Sequence, residues 1–264
     1  MHNHRQFIRT TGSTGKPLSE DLKAGKDFGL IVNEEIAYLI GALRDGNITS
    51  IPKEGIYRIR FYQKSKRWLE LLAGILERNF GRKASFYFDE RHGVWCLSIT
   101  SKKVFQELSK LAEFNGDQST WLTPTWISNG SGELKAAYVR GFFDAEGSVN
   151  SFEKTTLDVP EKDIRIYLAQ ANQGVLGEIR EIVSEFGVRC GRVCGPYVKK
   201  GSETRMYALM VHGSEQVLKF YDSFNSAHPD KVFRFELLKR SRRGDIDSSV
   251  ASFRIVWPLE GKDR

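Results

Sequence analysis

Two segments one hundred residues apart carry the same pattern, and a chain that repeats itself in this way is confined to folds built from two like halves. "EIAYLIGALRDGNI" at 35–48 and "KAAYVRGFFDAEGSV" at 135–149 share Ala37, Tyr38 and Gly41 with Ala137, Tyr138 and Gly141. The likeness continues downstream. "IYRIRFYQKSKRWLELLAGILERNFG" from 56 and "IRIYLAQANQGVLGEIREIVSEFG" from 164 each give an alternating strand, a glutamine, an amphipathic helix and a Phe-Gly stop. "VWCLSITSKKVFQELSKL" then parallels "MYALMVHGSEQVLKFYDSF", pairing Leu97 with Leu209, Ile99 with Val211 and Phe105 with Val217. Each half reads helix, strand, strand, helix, strand, strand, helix. The Asn, Gly and Ser cluster at 128–133 marks the linker. The expected organisation is an N-terminal extension over 1–33, a first repeat over 34–130, a second over 131–240 and a C-terminal extension over 241–264.

The 264 residues, 40% hydrophobic and 28% charged, suffice for such a core and contain no apolar run long enough to span a bilayer. No secretory signal is visible at the start, so a cytoplasmic protein is expected. Cys96, Cys190 and Cys194 have no His or Cys companions at zinc-site spacing and read as reduced thiols. A net charge of +7 suits a polyanionic partner such as nucleic acid. "HNH" at 2–4 lacks the separation that a nuclease of that type needs, and "GSTGKP" lacks the full phosphate-loop spacing.

The two motif helices pose a problem of charge. Carbonyls at a helix C-terminus already carry partial negative charge, yet the second motif helix ends in Asp144 and Glu146 and the first in Asp45. Small residues at i and i+4, Ala37 with Gly41 and Ala137 with Gly141, leave one stripe of each helix without bulk, so the two backbones can approach closely. Packed along those stripes, the helices would bring their terminal acids together around a hard divalent cation, with magnesium expected from oxygen ligands alone.

These residues resemble the LAGLIDADG homing endonucleases, specifically the single-chain members with two repeats. The resemblance covers about 34–240, and "YVRGFFDAEG" carries it most closely, with Gly141 at the packing position and Glu146 at the metal-binding acid. It implies an α+β fold of duplicated αββαββα repeats, with pseudo-two-fold symmetry, two saddle-shaped antiparallel sheets and two packed motif helices. The implied activity is Mg2+-dependent, site-specific cleavage of double-stranded DNA by a monomer. Asp45 and Glu146 would hold metal, Gln63 and Gln170 would order water beside it, and Lys231 would stabilise the phosphate or polarise water. Asp144 is expected to brace the helix end. The first motif departs from the pattern, being one residue shorter, with Arg44 opposite Asp144. Either the helix end is tightened so that Asp45 still reaches the cleft, or Asp45 is displaced and the site is lopsided.

Strand alternation places Arg58, Arg60 and Tyr62 opposite Ile59 and Phe61, and Arg165 and Tyr167 opposite Ile164, Ile166 and Leu168. Any one of these arginines would be ordinary on a solvated face, but the same face is cationic or aromatic in both halves, as expected of a major-groove reader. Ser148, Asn150, Lys154, Arg192, Lys199, Lys200 and Arg205 are further candidates for DNA contact. A DNA-binding regulator that does not cut, or a maturase acting on RNA, would use the same fold.

Overall fold

The computed structural model describes residues 32–114, 117–149, 164–198, 201 and 203–243. The first repeat runs α1 (Glu34–Ala42), β1 (Gly46–Ile51), β2 (Ile56–Gln63), α2 (Lys66–Phe80), β3 (Ser85–Asp89), β4 (Val94–Thr100) and α3 (Lys102–Ala112). A short α4 (Thr125–Ser128) leads into the second: α5 (Gly132–Glu146), β5 (Gly147–Val149), β6 (Arg165–Gln170), α6 (Gln173–Glu185), β7 (Cys194–Val198), β8 (Arg205–His212) and α7 (Ser214–Phe224). A final helix, α8 (Pro229–Arg243), extends three residues past the boundary expected at 240.

Each repeat forms one antiparallel four-stranded sheet, ordered β1-β2-β4-β3 and β5-β6-β8-β7. The registers correspond: Ile59 pairs with Ile99 and Phe61 with Leu97, as Ile166 pairs with Val211 and Leu168 with Leu209. These eight side chains are buried, and α2, α3, α6 and α7 pack against their strands. Helix starts are written locally: the side chains of Asn33, Ser65, Ser101 and Asn172 each accept a backbone N–H in the first turn of the helix they precede. The Phe-Gly stops end α2 and α6 on Gly81 and Gly187, at φ of 64° and 72°, a left-handed conformation that glycine adopts without strain.

Helices α1 and α5 lie at the centre, side by side. Every residue from Ile36 to Ala42 is buried, the pattern of a helix enclosed on all sides. Their contact is reciprocal. A Cβ built on Gly41 would collide with the Tyr138 carbonyl oxygen, and one built on Gly141 with the Tyr38 carbonyl oxygen. The helices therefore touch backbone to backbone, and any side chain at either glycine would push the repeats apart.

Gly141→Ala is expected to lower unfolding free energy by about 2 kcal/mol or more, the upper part of the overpacking range, because backbone cannot yield as a side chain can. Gly81→Ala, whose Cβ meets nothing within 4 Å, should cost only about 1 kcal/mol of left-handed strain. Urea midpoints of the two variants give the comparison.

Candidate active site and nucleic-acid interface

The first motif is shorter by one residue, and its winding changes to match. After Ala42 the chain leaves the α-helix for a 3-10 turn over Leu43–Asp45, whereas α5 stays α-helical through Glu146. Three residues at the 3-10 rise of about 2.0 Å advance about 6 Å. Four α-helical residues at about 1.5 Å advance the same distance. Asp45 thus reaches the level of Glu146, which is the tightened arrangement rather than the displaced one.

The two acids have matching partners. Gln63 Nε2 donates to Asp45 Oδ2 at 3.0 Å, and Gln170 Nε2 donates to Glu146 Oε1 at 3.1 Å. The Oε1 atoms of the two glutamines accept from the next backbone N–H, of Lys64 and Ala171, at 2.8 and 2.7 Å. Burial and the charge of Glu146 hold the Asp45 carboxyl well above the usual carboxylate range, while Lys231 pulls it back down. The acids of the two repeats therefore share one electrostatic site.

Lys231 lies in the first turn of α8, not before it, and is buried. Its Nζ donates to the carbonyl oxygens of Phe143 and Asp144, the latter at 2.6 Å. Two of the ammonium's N–H groups are thus spent on the end of α5. Burial brings its pKa down to about 8 against the opposing charges of Asp144, Asp45 and Glu146. The clustering of acids at a helix C-terminus is answered by this one cation, which faces both the acids and the helix carbonyls. In the first repeat a neutral amide does the corresponding work: Gln118 Nε2 reaches the Gly46 carbonyl at 2.7 Å and the Leu43 carbonyl at 3.5 Å.

Asp144 is fully buried and braced. It accepts from Tyr38 OH at 2.7 Å, from the Ala227 N–H at 2.8 Å and from the Ser226 hydroxyl. Trp68 Nε1 donates to the same tyrosine oxygen at 2.6 Å, tying the first repeat's α2 to this cluster. The equivalent position of the first repeat inverts the polarity. Arg44 donates to the carbonyls of Trp121 and Leu122 at 3.0 and 3.1 Å and to Tyr138 OH at 3.2 Å, among the rings of Phe114, Trp121 and Phe142. His228 lies near Trp68, its pKa lowered to about 3 by burial and by Lys231 and Arg234, so its ring stays neutral.

Around this centre the sheets present their helix-free faces. Pairing registers place Asn47, Thr49, Arg58, Arg60, Tyr62, Ser98 and Tyr87 on one such face, and Ser148, Arg165, Tyr167, Ala169, Met210 and His212 on the other. Arg192 is exposed ahead of β7. Arg205 is exposed too, but it alternates in phase with Tyr207, Leu209 and Val211 and so belongs to the helix-covered side, a departure from the sequence expectation. Asn150, Lys154, Lys199 and Lys200 lie outside the described residues.

Residues 133–225 match the family model of the LAGLIDADG-like domain. The homing endonuclease I-ApeI of Aeropyrum pernix is 27% identical over 212 residues, covering 78% of this chain and 88% of that protein. The fold agrees with that of I-DmoI in its crystal structure with DNA and Mn, at a TM-score of 0.53 and 18% identity, over 74% of this chain and 98% of that one. Residues 133–225 are a LAGLIDADG-like domain, and the first repeat builds a sheet of the same strand order beside it. The tRNA-splicing ligase RtcB of Pyrococcus furiosus is also similar, 25% identical over 221 residues, but the match spans only 21% of that longer protein. Among the described residues no helix is long and apolar enough to cross a membrane.

The raised Asp45 pKa has a consequence for stability. Above pH 3.8 the folded chain retains a proton that the unfolded chain has released, so Asp45 lowers stability as pH rises from there through its folded pKa. Asp45→Asn should melt at a higher temperature than wild type at pH 7 in metal-free buffer, with the difference shrinking towards pH 4. Asp144→Ala should cost about 3–5 kcal/mol at pH 7, since it strips the buried Lys231 of its principal counter-charge.

Proposed function

We propose that this protein is a site-specific, Mg2+-dependent homing endonuclease that hydrolyses both strands of duplex DNA at a long target read in the major groove. The observation that carries this reading is the pairing of Asp45 with Glu146 at the joined ends of α1 and α5, between two helix-free sheet faces bearing arginines. The relative I-ApeI is a homing endonuclease, and I-DmoI has been crystallised with DNA and Mn or Ca, and a variant of it with target DNA and Mg.

The acids fit a hard divalent cation. Two like charges made to share a partly buried site favour a counter-ion, and Asp45 is the group that registers the strain. Among the described residues no three His, Cys, Asp or Glu side chains group to enclose a metal. A site with two carboxylates suits an ion such as Mg2+, which completes its shell with water and substrate phosphate. When bound, the ion would lower the pKa of attacking water and offset charge on the crowded phosphorus.

The chain's own residues set up that chemistry. Gln63 and Gln170 fix the carboxylates through one oxygen each, with their amides oriented by backbone N–H groups. Lys231 steadies the end of α5, and so the position of Glu146, by holding the carbonyls just before it. It is a positioning residue in this scheme. Arg58, Arg60, Tyr62, Ser148, Arg165 and Tyr167 contact the duplex along the sheet faces, with Arg192 adding a contact ahead of β7; the same role is proposed for Asn150, Lys154, Lys199 and Lys200 from the sequence alone. Both motif acids reach the centre despite the shorter first motif, which favours cutting over binding alone.

The test is cleavage of a plasmid library carrying random inserts, followed by sequencing of the cut ends. Wild type should cut a defined site in Mg2+ and not in EDTA. Asp45→Asn and Glu146→Gln should each slow cleavage by at least about 100-fold with binding retained, and Gln63→Ala by about 10–100-fold. A defined site bound but never cut by wild type in Mg2+ would identify a regulator instead.

A further inference from the structure

The helix-free faces of the two sheets occupy equivalent positions and differ in chemistry row by row. β2 and β6 end beside the paired acids, at Gln63 and Gln170, so rows can be numbered outward from there. The outer rows are alike: Arg58 pairs with Thr100, and Arg165 with His212. The middle rows are not. Arg60 stands between Asn47 and Ser98, and Ser98 pairs on with Ser85, giving four polar side chains across the first sheet. The corresponding row of the second sheet is Ser148, Tyr167 and Met210. The inner rows diverge again, with Tyr62 and Tyr87 flanking Cys96 in one half and Ala169 and Cys194 flanking Ala208 in the other.

Side-chain placement sharpens the contrast. Arg60 Nη1 donates to Tyr62 OH at 3.3 Å, which holds the guanidinium fork above its own sheet. A fixed fork of this kind matches the paired acceptors on the major-groove edge of guanine. Met210 and Ala169 are partly exposed beside Tyr167, over a buried Ala208. An adaptable thioether beside two short methyl side chains offers an apolar seat, with the Tyr167 ring along its edge. The one apolar feature that a base presents in the major groove is the thymine methyl.

We infer that the two halves of the target are chemically different: the first sheet reads guanine through Arg60, and the second reads thymine methyl groups through Met210 and Ala169. This rests on the DNA reading above and adds what each half recognises. Met210 and Ala169 are specificity-determining residues under this assignment, since their side chains lie on the face opposite to that of Gln170, the side chain that meets Glu146.

The experiment selects duplexes with a random central segment by binding to wild type in the absence of Mg2+, then scans the enriched sequence with base analogues. Uracil in place of thymine removes one methyl, and it should weaken binding about fourfold per contacted base in one half only. 7-Deazaguanine, which lacks the N7 acceptor, should weaken binding about 5- to 150-fold in the other half. Arg60→Ala should abolish the 7-deazaguanine effect and Met210→Ser the uracil effect, which assigns each half to its sheet. The analogue scan on wild type stands by itself if either variant fails to fold. An enriched sequence indifferent to uracil, or sensitive to it equally in both halves, overturns the inference and leaves the DNA reading intact. A selection that enriches nothing overturns both.

Discussion

The contact between Gly41 and Gly141 governs the rest of the molecule. Each glycine faces the backbone of the opposite helix, so the distance between repeats is set by main chain alone. The paired acids follow shortly after these glycines, at the C-terminal ends of the two motif segments, and their shared electrostatics follow from that spacing. Carboxylates brought this close repel one another, and the protein retains the arrangement by burying aliphatic and aromatic surface around it, at about 1.5–3 kcal/mol for each large side chain. Ile36, Leu39, Ile40, Phe142 and Phe143 are all fully buried at this junction. A pair of acids that repel one another is thus held in place by apolar packing around them.

The symmetry of the fold is broken where polar groups are buried. Tyr38 and Tyr138 occupy equivalent places, yet the hydroxyl of one donates to Asp144 while that of the other accepts from Arg44. A phenol can do either, which lets one scaffold accommodate opposite charges. Helix-end carbonyls are likewise met by an ammonium in one half and by a neutral amide in the other. Side chains on the sheet faces differ in the same manner, so the repeats share a backbone plan and little of their polar chemistry.

The duplicated elements were legible because periodicity reports directly on which face of a strand or helix is buried. The paired strands, the Phe-Gly stops and the small stripes in the motif helices all appear in the structure where the sequence places them. Asp45 and Glu146, each with its glutamine, were found from the repeat itself, which brings equivalent residues to equivalent places. What the sequence did not reveal depends on contacts between distant segments. The amide of Gln118 lies in a connection without periodicity, and nothing in its neighbourhood announces a cap for the first motif. Arg44 stands out in the sequence only as a misfit opposite Asp144, and its aromatic surroundings come from two distant segments, the connection after α3 and the helix α5. Lys231 was noticed, but the direction of its ammonium could not be, because that depends on where α8 docks. The side of the sheet on which Arg205 lies is likewise set by alternation along β8, which its charge does not report.

The 3-10 turn that closes the first motif bears on how such chains are recognised. A family pattern keeps count of letters, whereas the folded chain keeps count of ångströms, and a tighter coil meets the second requirement while failing the first. The match to the family model begins at residue 133 and leaves out the earlier copy, although that copy builds the same sheet and delivers its acid to the same place. A motif one residue shorter can therefore hide half of a duplicated fold from alignment while costing its architecture nothing.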